Sequence, residues 1–206
     1  MELIMGFFKC IDKGSGLKRL FIGGVHGKEG LSTINAIKKL SENDLKDGTL
    51  VIYNCDESRY ISTLNPLYYQ STVGKEVLYL INHYQPDMYI ELHCYKPESY
   101  PALTSIDRIQ RVGVPPLIEL EKGVLIGSVS PQIRTKIFKK QDICITLEMP
   151  CSPSPETLKV YINFLKILAG ARNRFDLENK VTKIYPEQVE TSQKYARIIF
   201  GKYPPF

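Results

Sequence analysis

The sequence predicts an α/β fold. Short apolar runs recur along its length, and stretches with helical spacing of apolar residues separate them. At 206 residues the chain suits a single domain spanning 1–206, long enough to bury roughly 70% of its unfolded surface. Its 43% hydrophobic and 24% charged residues are the proportions of an ordinary globular protein.

The elements follow in order. A first strand is expected over 2–10, a stretch without the basic region and cleavage site of a signal peptide. A second strand, 18–25, runs into paired glycines. The first helix is expected from about Gly27 to Leu40, with Leu31, Ile34, Ile37 and Leu40 facing inward. Asp47-Gly48 starts a third strand over 49–54. A second helix over 73–84 turns Val77, Leu78 and Ile81 inward and stops at Pro86. Strands are expected again over 87–93, 124–129 and 143–149. The intervening stretch 95–122 contains Pro97, Pro101, Pro115 and Pro116 and little periodicity, so it reads as an extended loop of the kind that forms binding surfaces.

Ser154, Pro155 and Glu156 are the N-cap, first position and first-turn acid of a third helix, with Leu158, Ile162, Leu165 and Leu168 as its apolar face. From Val181 onward one more amphipathic helix is expected, suited to packing on the core or to a homo-oligomer contact.

Charge and cysteine usage narrow the class. The net charge of +5 is spread over pairs such as Lys38-Lys39, without the concentrated basic stripe of a nucleic-acid binder. No apolar run approaches the ~20 residues that cross a bilayer. Five scattered cysteines, an odd count without a Cys-x-x-Cys pair, argue for reduced thiols and a cytoplasmic protein. Cys10 and Cys144 read as core filler; Cys94 and Cys151 each lie near a candidate site residue.

Chemistry concentrates at three strand ends. Gly23-Gly24-Val25-His26-Gly27-Lys28-Glu29 places His26 and Glu29 three apart on a glycine turn. Such a turn can converge both side chains on one ion, where a continuous strand would part them. His93 closes a later strand and supplies a third ligand, leaving the open position that a catalytic zinc site requires. His-x-x-Glu alone is weak, because a given His finds Glu at +3 by chance roughly 7% of the time. The alternative is that both histidines are simply buried and satisfied. Glu91 shares a strand face with His93 and suits a carboxylate that orients a ligating imidazole, or a plain strand-end polar residue. Glu148 stands near the end of an apolar strand, as a general base or as a buried structural carboxylate. His83, in the last turn of the second helix, reads as structural.

These motifs resemble the zinc carboxypeptidase superfamily, most closely its aspartoacylase and succinylglutamate desuccinylase branch. Gly24-Val25-His26-Gly27-Lys28-Glu29 is similar to that branch's Gly-x-His-Gly-x-Glu. Glu91-Leu92-His93 resembles its Asp-Leu-His, His93-Cys94-Tyr95 the carboxypeptidase His-Ser-Tyr, and Thr146-Leu147-Glu148 the strand of the catalytic glutamate. The pattern also resembles small members from methanogenic archaea. The resemblance covers about 18–150 and implies a mixed sheet flanked by helices, one zinc per chain and hydrolysis of an amide near a carboxylate. Asn54, Arg59-Tyr60 and Thr63-Leu64-Asn65-Pro66 are similar to the family's intervening Asn, Arg and Asp-Leu-Asn-Arg segments. The resemblance thereby implies Arg59 as oxyanion stabiliser, though an ordinary loop arginine is the other reading. It implies Asn65 and Tyr95 at the substrate. The family's second arginine is replaced by Pro66, and Arg134 is the candidate substitute.

The expectation is therefore a zinc-dependent amidohydrolase acting on a small molecule or peptide. A catalytically inactive binding protein on the same scaffold is the alternative, motivated by Pro66. A phosphate cradle at the glycine turn is disfavoured, since Glu29 stands where a P-loop carries Ser or Thr.

Overall fold

Eight-residue runs that are apolar on both faces suit the middle of a parallel sheet covered on both sides, and the computed structural model, which describes residues 6–201, places them there. The strands are β1 (Gly6–Lys13), β2 (Lys18–Gly23), β3 (Gly48–Cys55), β4 (Met88–Tyr95), β5 (Ile118–Glu121), β6 (Val124–Ser128) and β7 (Ile143–Pro150). They form one mixed seven-stranded sheet in the order β1-β3-β2-β4-β7-β6-β5. The inner strands β3, β2, β4 and β7 are mutually parallel, while β1, β6 and β5 pair antiparallel at the edges.

The helices are α1 (Gly30–Ile37), α2 (Thr72–Tyr84), α3 (Tyr100–Thr104), α4 (Arg108–Val112), α5 (Pro131–Arg134), α6 (Pro155–Ala169), α7 (Arg174–Ile184) and α8 (Pro186–Phe200). They flank the sheet on both faces. On one face Ala36, Ile37, Phe164, Leu165 and Leu177 pack over Phe21, Ile52, Ile90 and Ile145. On the other, Val73, Val77, Ile81 and Ile133 pack over Leu20, Ile22, Val51 and Tyr89. No described helix is long and apolar enough to cross a membrane.

Several boundaries differ from the sequence reading. Residues 2–5 of the expected first strand, and the chain after Gly201, lie outside the described residues. The strand itself runs on to Lys13 as an edge, where charged side chains face water, and Cys10 is exposed there rather than in the core. The first helix begins only at Gly30, rotated so that Thr33, Ala36 and Ile37 face the sheet; Leu31 is 56% exposed. The Thr33 hydroxyl donates to Asn54 Oδ1 on β3 at 2.6 Å, which fixes that rotation. The 95–122 stretch is not an extended loop: it folds into α3, α4 and β5. The C-terminal helix expected from Val181 is two helices, because Pro186 cannot donate an amide and α7 ends before it. Ser154 caps α6 as expected, accepting from the Thr157 amide at 3.1 Å.

Parallel pairing puts the carboxyl ends of β2, β4 and β7 along one edge of the sheet. That edge is where open α/β sheets form ligand crevices.

Candidate metal centre

The chain leaving β2 turns sharply against the end of β3. Gly24 has φ +69°, and a Cβ on it or on Gly30 would run into the Cys55 carbonyl oxygen. Only glycine permits this approach at a positive φ. Asn54 braces the turn, its amide nitrogen donating to the Gly30 carbonyl at 3.2 Å. The turn folds His26 and Glu29 back over the end of β4.

There they meet His93. Glu29 Oε2 lies 3.1 Å from His93 Nδ1 and 3.4 Å from His26 Nδ1, and the two rings are 5.0 Å apart. All three residues are buried, and their ligand atoms lie within 4.8 Å of one another. Burial, with the neighbouring His93 ring, pushes the His26 pKa down to about 4, so its imidazole is neutral near pH 7. Burial also opposes charge on His93, but Glu29, Glu91 and Glu148 outweigh it and hold its pKa well above 6.5.

Two observations fit this trio to a divalent metal. His26 Nδ1 is buried yet makes no hydrogen bond, its contact with Glu29 falling outside hydrogen-bond geometry; a buried polar atom without a partner is rare unless it serves something else. Two imidazole nitrogens and one carboxylate oxygen are also the donor set of a catalytic zinc site with an open position. Behind the trio, His93 Nε2 faces Glu91 Oε2 at 3.4 Å, which leaves Nδ1 for an ion.

The trio opens into a cavity of about 750 Å³. Glu148 lines it and is the register partner of His93 on β7. Burial raises the Glu148 pKa; His93 and Arg108 oppose this, and Glu29 reinforces it. Tyr95 also lines the cavity, its hydroxyl donating to the Gly123 carbonyl at 2.7 Å.

The remaining expected residues are placed elsewhere. Arg59 is exposed and absent from the cavity lining, whereas its neighbour Tyr60 sits edge-on to the His26 ring at 4.8 Å. Asn65 caps the short 3₁₀ helix Pro66–Gln70, accepting from the Leu67 amide at 2.9 Å, while Ser62, Thr63 and Leu64 reach the cavity. Arg134 is 1% exposed and donates to the carbonyls of Lys139, Lys140 and Asp142 on the sheet's α5 face.

Two features were missed. Arg108, at the start of α4, lines the cavity with one nitrogen donating to the Pro115 carbonyl at 2.7 Å; burial depresses its pKa and Glu148 raises it. Its only sequence signal was membership of the proline-rich stretch expected to form a binding surface. Cys94 and Cys151 are disulfide-bonded, correcting the expectation that all five thiols are reduced. The ends of β4 and β7 bring their Cα atoms to 4.8 Å across a separation of 57 residues, which no spacing rule discloses.

Comparison with solved structures finds similarity to an aspartoacylase family protein from Mesorhizobium loti (14% identity, 81% of this chain and 62% of that one, TM-score 0.47). A metallo-carboxypeptidase from Pseudomonas aeruginosa is similar too (14%, 79% and 59%, TM-score 0.43). So is the ectoine utilization protein EutE (DoeB) from Ruegeria pomeroyi (14%, 79% and 60%, TM-score 0.46). The chain spans about three fifths of the length of these proteins. Among curated proteins it is 40% identical over 192 residues to "Uncharacterized protein MJ0501" of Methanocaldococcus jannaschii, covering 90% of this chain and 92% of that one. The model of one family matches residues 14–201, and the chain belongs to that family, described as "Uncharacterized protein conserved in archaea (DUF2119)".

Proposed function

We propose that the protein is a zinc-dependent hydrolase of an amide bond, with His26, Glu29 and His93 as the metal ligands and Glu148 as the general base. The observation that carries this reading is the convergence of two imidazole Nδ1 atoms and one carboxylate oxygen in the lining of a cavity that Glu148 also lines. A bound zinc would supply Lewis-acid polarisation of the scissile carbonyl and acidify a water from ~15.7 towards ~7.

The chain's own residues do the rest. Glu148, whose carboxylate burial makes more basic, would take a proton from the attacking water and return it to the leaving amine. Arg108 is the fixed cation of the cavity and replaces Arg59 in stabilising negative charge, because it lines the cavity and Arg59 does not. With Lys28 and Lys96 it brings positive charge to the lining, while Leu103, Val114 and Leu117 bring apolar surface. That combination suits an N-acyl amino acid or short peptide carrying an anionic group. Tyr95 and Thr63 add hydroxyls to the polar lining.

Metal analysis of protein purified without added zinc is the first test, with about one equivalent expected and none taken up on titration as the contrary result. Glu148→Gln should keep the metal and lower turnover on a panel of N-acyl amino acids and peptides by about 10²- to 10⁴-fold. Zinc binding without turnover of any panel member would favour the alternative, a binding protein on this scaffold, for which exposed Arg59 and Pro66 are the motivating departures.

A further inference from the structure

Side chains alternate along a strand, so Tyr89, Glu91 and His93 of β4 share one sheet face. Their partners on β2, Leu20 beside Tyr89 and Ile22 beside Glu91, are apolar and fully buried. Glu91 itself is 0% exposed. A carboxylate in such surroundings persists only when its oxygens are hydrogen-bonded. The two oxygens are divided: Oε1 accepts from the Tyr89 hydroxyl at 2.9 Å, and Oε2 faces His93 Nε2 at 3.4 Å. The Tyr89 ring is in turn stacked on Phe138, with centroids 5.2 Å apart and planes inclined by 26°. A phenylalanine would fill this space equally well, so the hydroxyl is what needs explaining.

We infer that Tyr89 is a positioning residue of the metal centre. By holding Oε1, its hydroxyl sets the Glu91 carboxylate so that Oε2 accepts the His93 Nε2 proton. That selects the tautomer presenting Nδ1 to the ion beside His26 and Glu29. Without the Tyr89 bond the carboxylate can rotate about its terminal torsion and the imidazole loses its fixed acceptor. The inference rests on the reading of His26, Glu29 and His93 as metal ligands.

The test is the affinity of the chelator-stripped protein for zinc, measured by competition with a chromophoric chelator, together with the visible spectrum of the cobalt(II)-substituted protein. Tyr89→Phe should weaken zinc binding by about tenfold and shift the cobalt bands; Glu91→Gln should weaken it by about 10- to 100-fold, the range for partners of metal-bound histidines. In the Glu91→Gln background, adding Tyr89→Phe should change affinity by less than about twofold, because the hydroxyl acts through the carboxylate. Equal effects of Tyr89→Phe in both backgrounds, or a lowered melting temperature with unchanged zinc affinity and cobalt spectrum, would overturn the inference and leave Tyr89 a packing residue. Failure of the wild-type protein to bind zinc or cobalt would instead overturn the metal reading, and the inference with it.

Discussion

His26 and His93 bring the same ring atom, Nδ1, within 3.4 Å of the same carboxylate oxygen, Glu29 Oε2, and their surroundings drive their protonation in opposite directions. His26 is depressed to about 4, chiefly by burial. His93, despite burial, is raised by three carboxylates. Between about pH 4 and 6.5 the unfolded chain binds a proton that folded His26 refuses, so stability rises with pH across that window. His93 acts the other way: its contribution is complete below 6.5 and is lost as pH rises through its folded pKa. From these two residues the metal-free protein should be most stable near pH 6.5, each limb sloping by up to about 1.4 kcal/mol per pH unit. Urea denaturation of chelator-treated protein from about pH 4.5 to 9 reads this directly. His26→Gln should flatten the acid limb, and saturating zinc, which needs deprotonated His93, should reverse the alkaline one.

Arg108 should govern recognition of charge. Arg108→Met removes a charge-assisted donor while keeping most of the side chain's volume, so kcat/KM for an anionic substrate should fall by about 10- to 100-fold. The matching neutral amide should be affected far less, with zinc content unchanged. Equal losses on the charged and neutral substrates would remove Arg108 from any anion-binding role.

Arg134 should behave differently. Its guanidinium holds the carbonyls of Lys139, Lys140 and Asp142 in a buried turn. Arg134→Met leaves these acceptors unsatisfied and should destabilise the protein by about 3 kcal/mol. Zinc affinity and KM of the folded fraction should stay at wild-type values. A raised KM without a stability loss would restore Arg134 as a substrate residue.

The glycine turn gives a paired test. Gly24→Ala imposes a strained positive φ and drives a methyl into the Cys55 carbonyl, so it should lower both the melting temperature and zinc affinity. Gly14 has φ +81° but nothing within 4 Å of its Cβ position. Gly14→Ala should therefore show only the strain, about 1–3 kcal/mol, and retain normal zinc binding. Zinc binding unaffected in Gly24→Ala would separate the turn from the metal centre.

How far the sequence discloses all this depends on the kind of signal. The inner parallel strands were legible because burial on both faces writes a continuous apolar run, and the candidates His26, Glu29, His93 and Glu148 stood out because they lie at or just past the ends of such runs. The strand β5 was not. It is four residues long, follows Pro115-Pro116 and turns Glu119 and Glu121 outward, so it carries no run to detect. The inward face of α1 was legible at Ile37 and, just past its end, at Leu40, both buried, but not at its start, where Leu31 looks like core and the Thr33 bond to Asn54 sets the rotation. Arg108 depends on how the 95–122 stretch folds beside the site, and the Cys94–Cys151 pair on β4 lying next to β7, which is tertiary information that no local period records.

That pair also changes the topology of the chain. The Cys94–Cys151 bond closes residues 95–150 into a covalent ring, and this ring carries Lys96, Arg108 and Glu148 past the fixed His93 just outside it. Closing a loop with a separation of 57 residues restrains the unfolded chain by about 4 kcal/mol in the chain-entropy treatment. The part of the cavity lining carried by this ring is thus a hoop strapped to the sheet at both feet. One backbone cut within it, at an exposed site such as Ile106, releases no fragment until the bond is reduced, and the severed hoop stays anchored beside His26, Glu29 and His93.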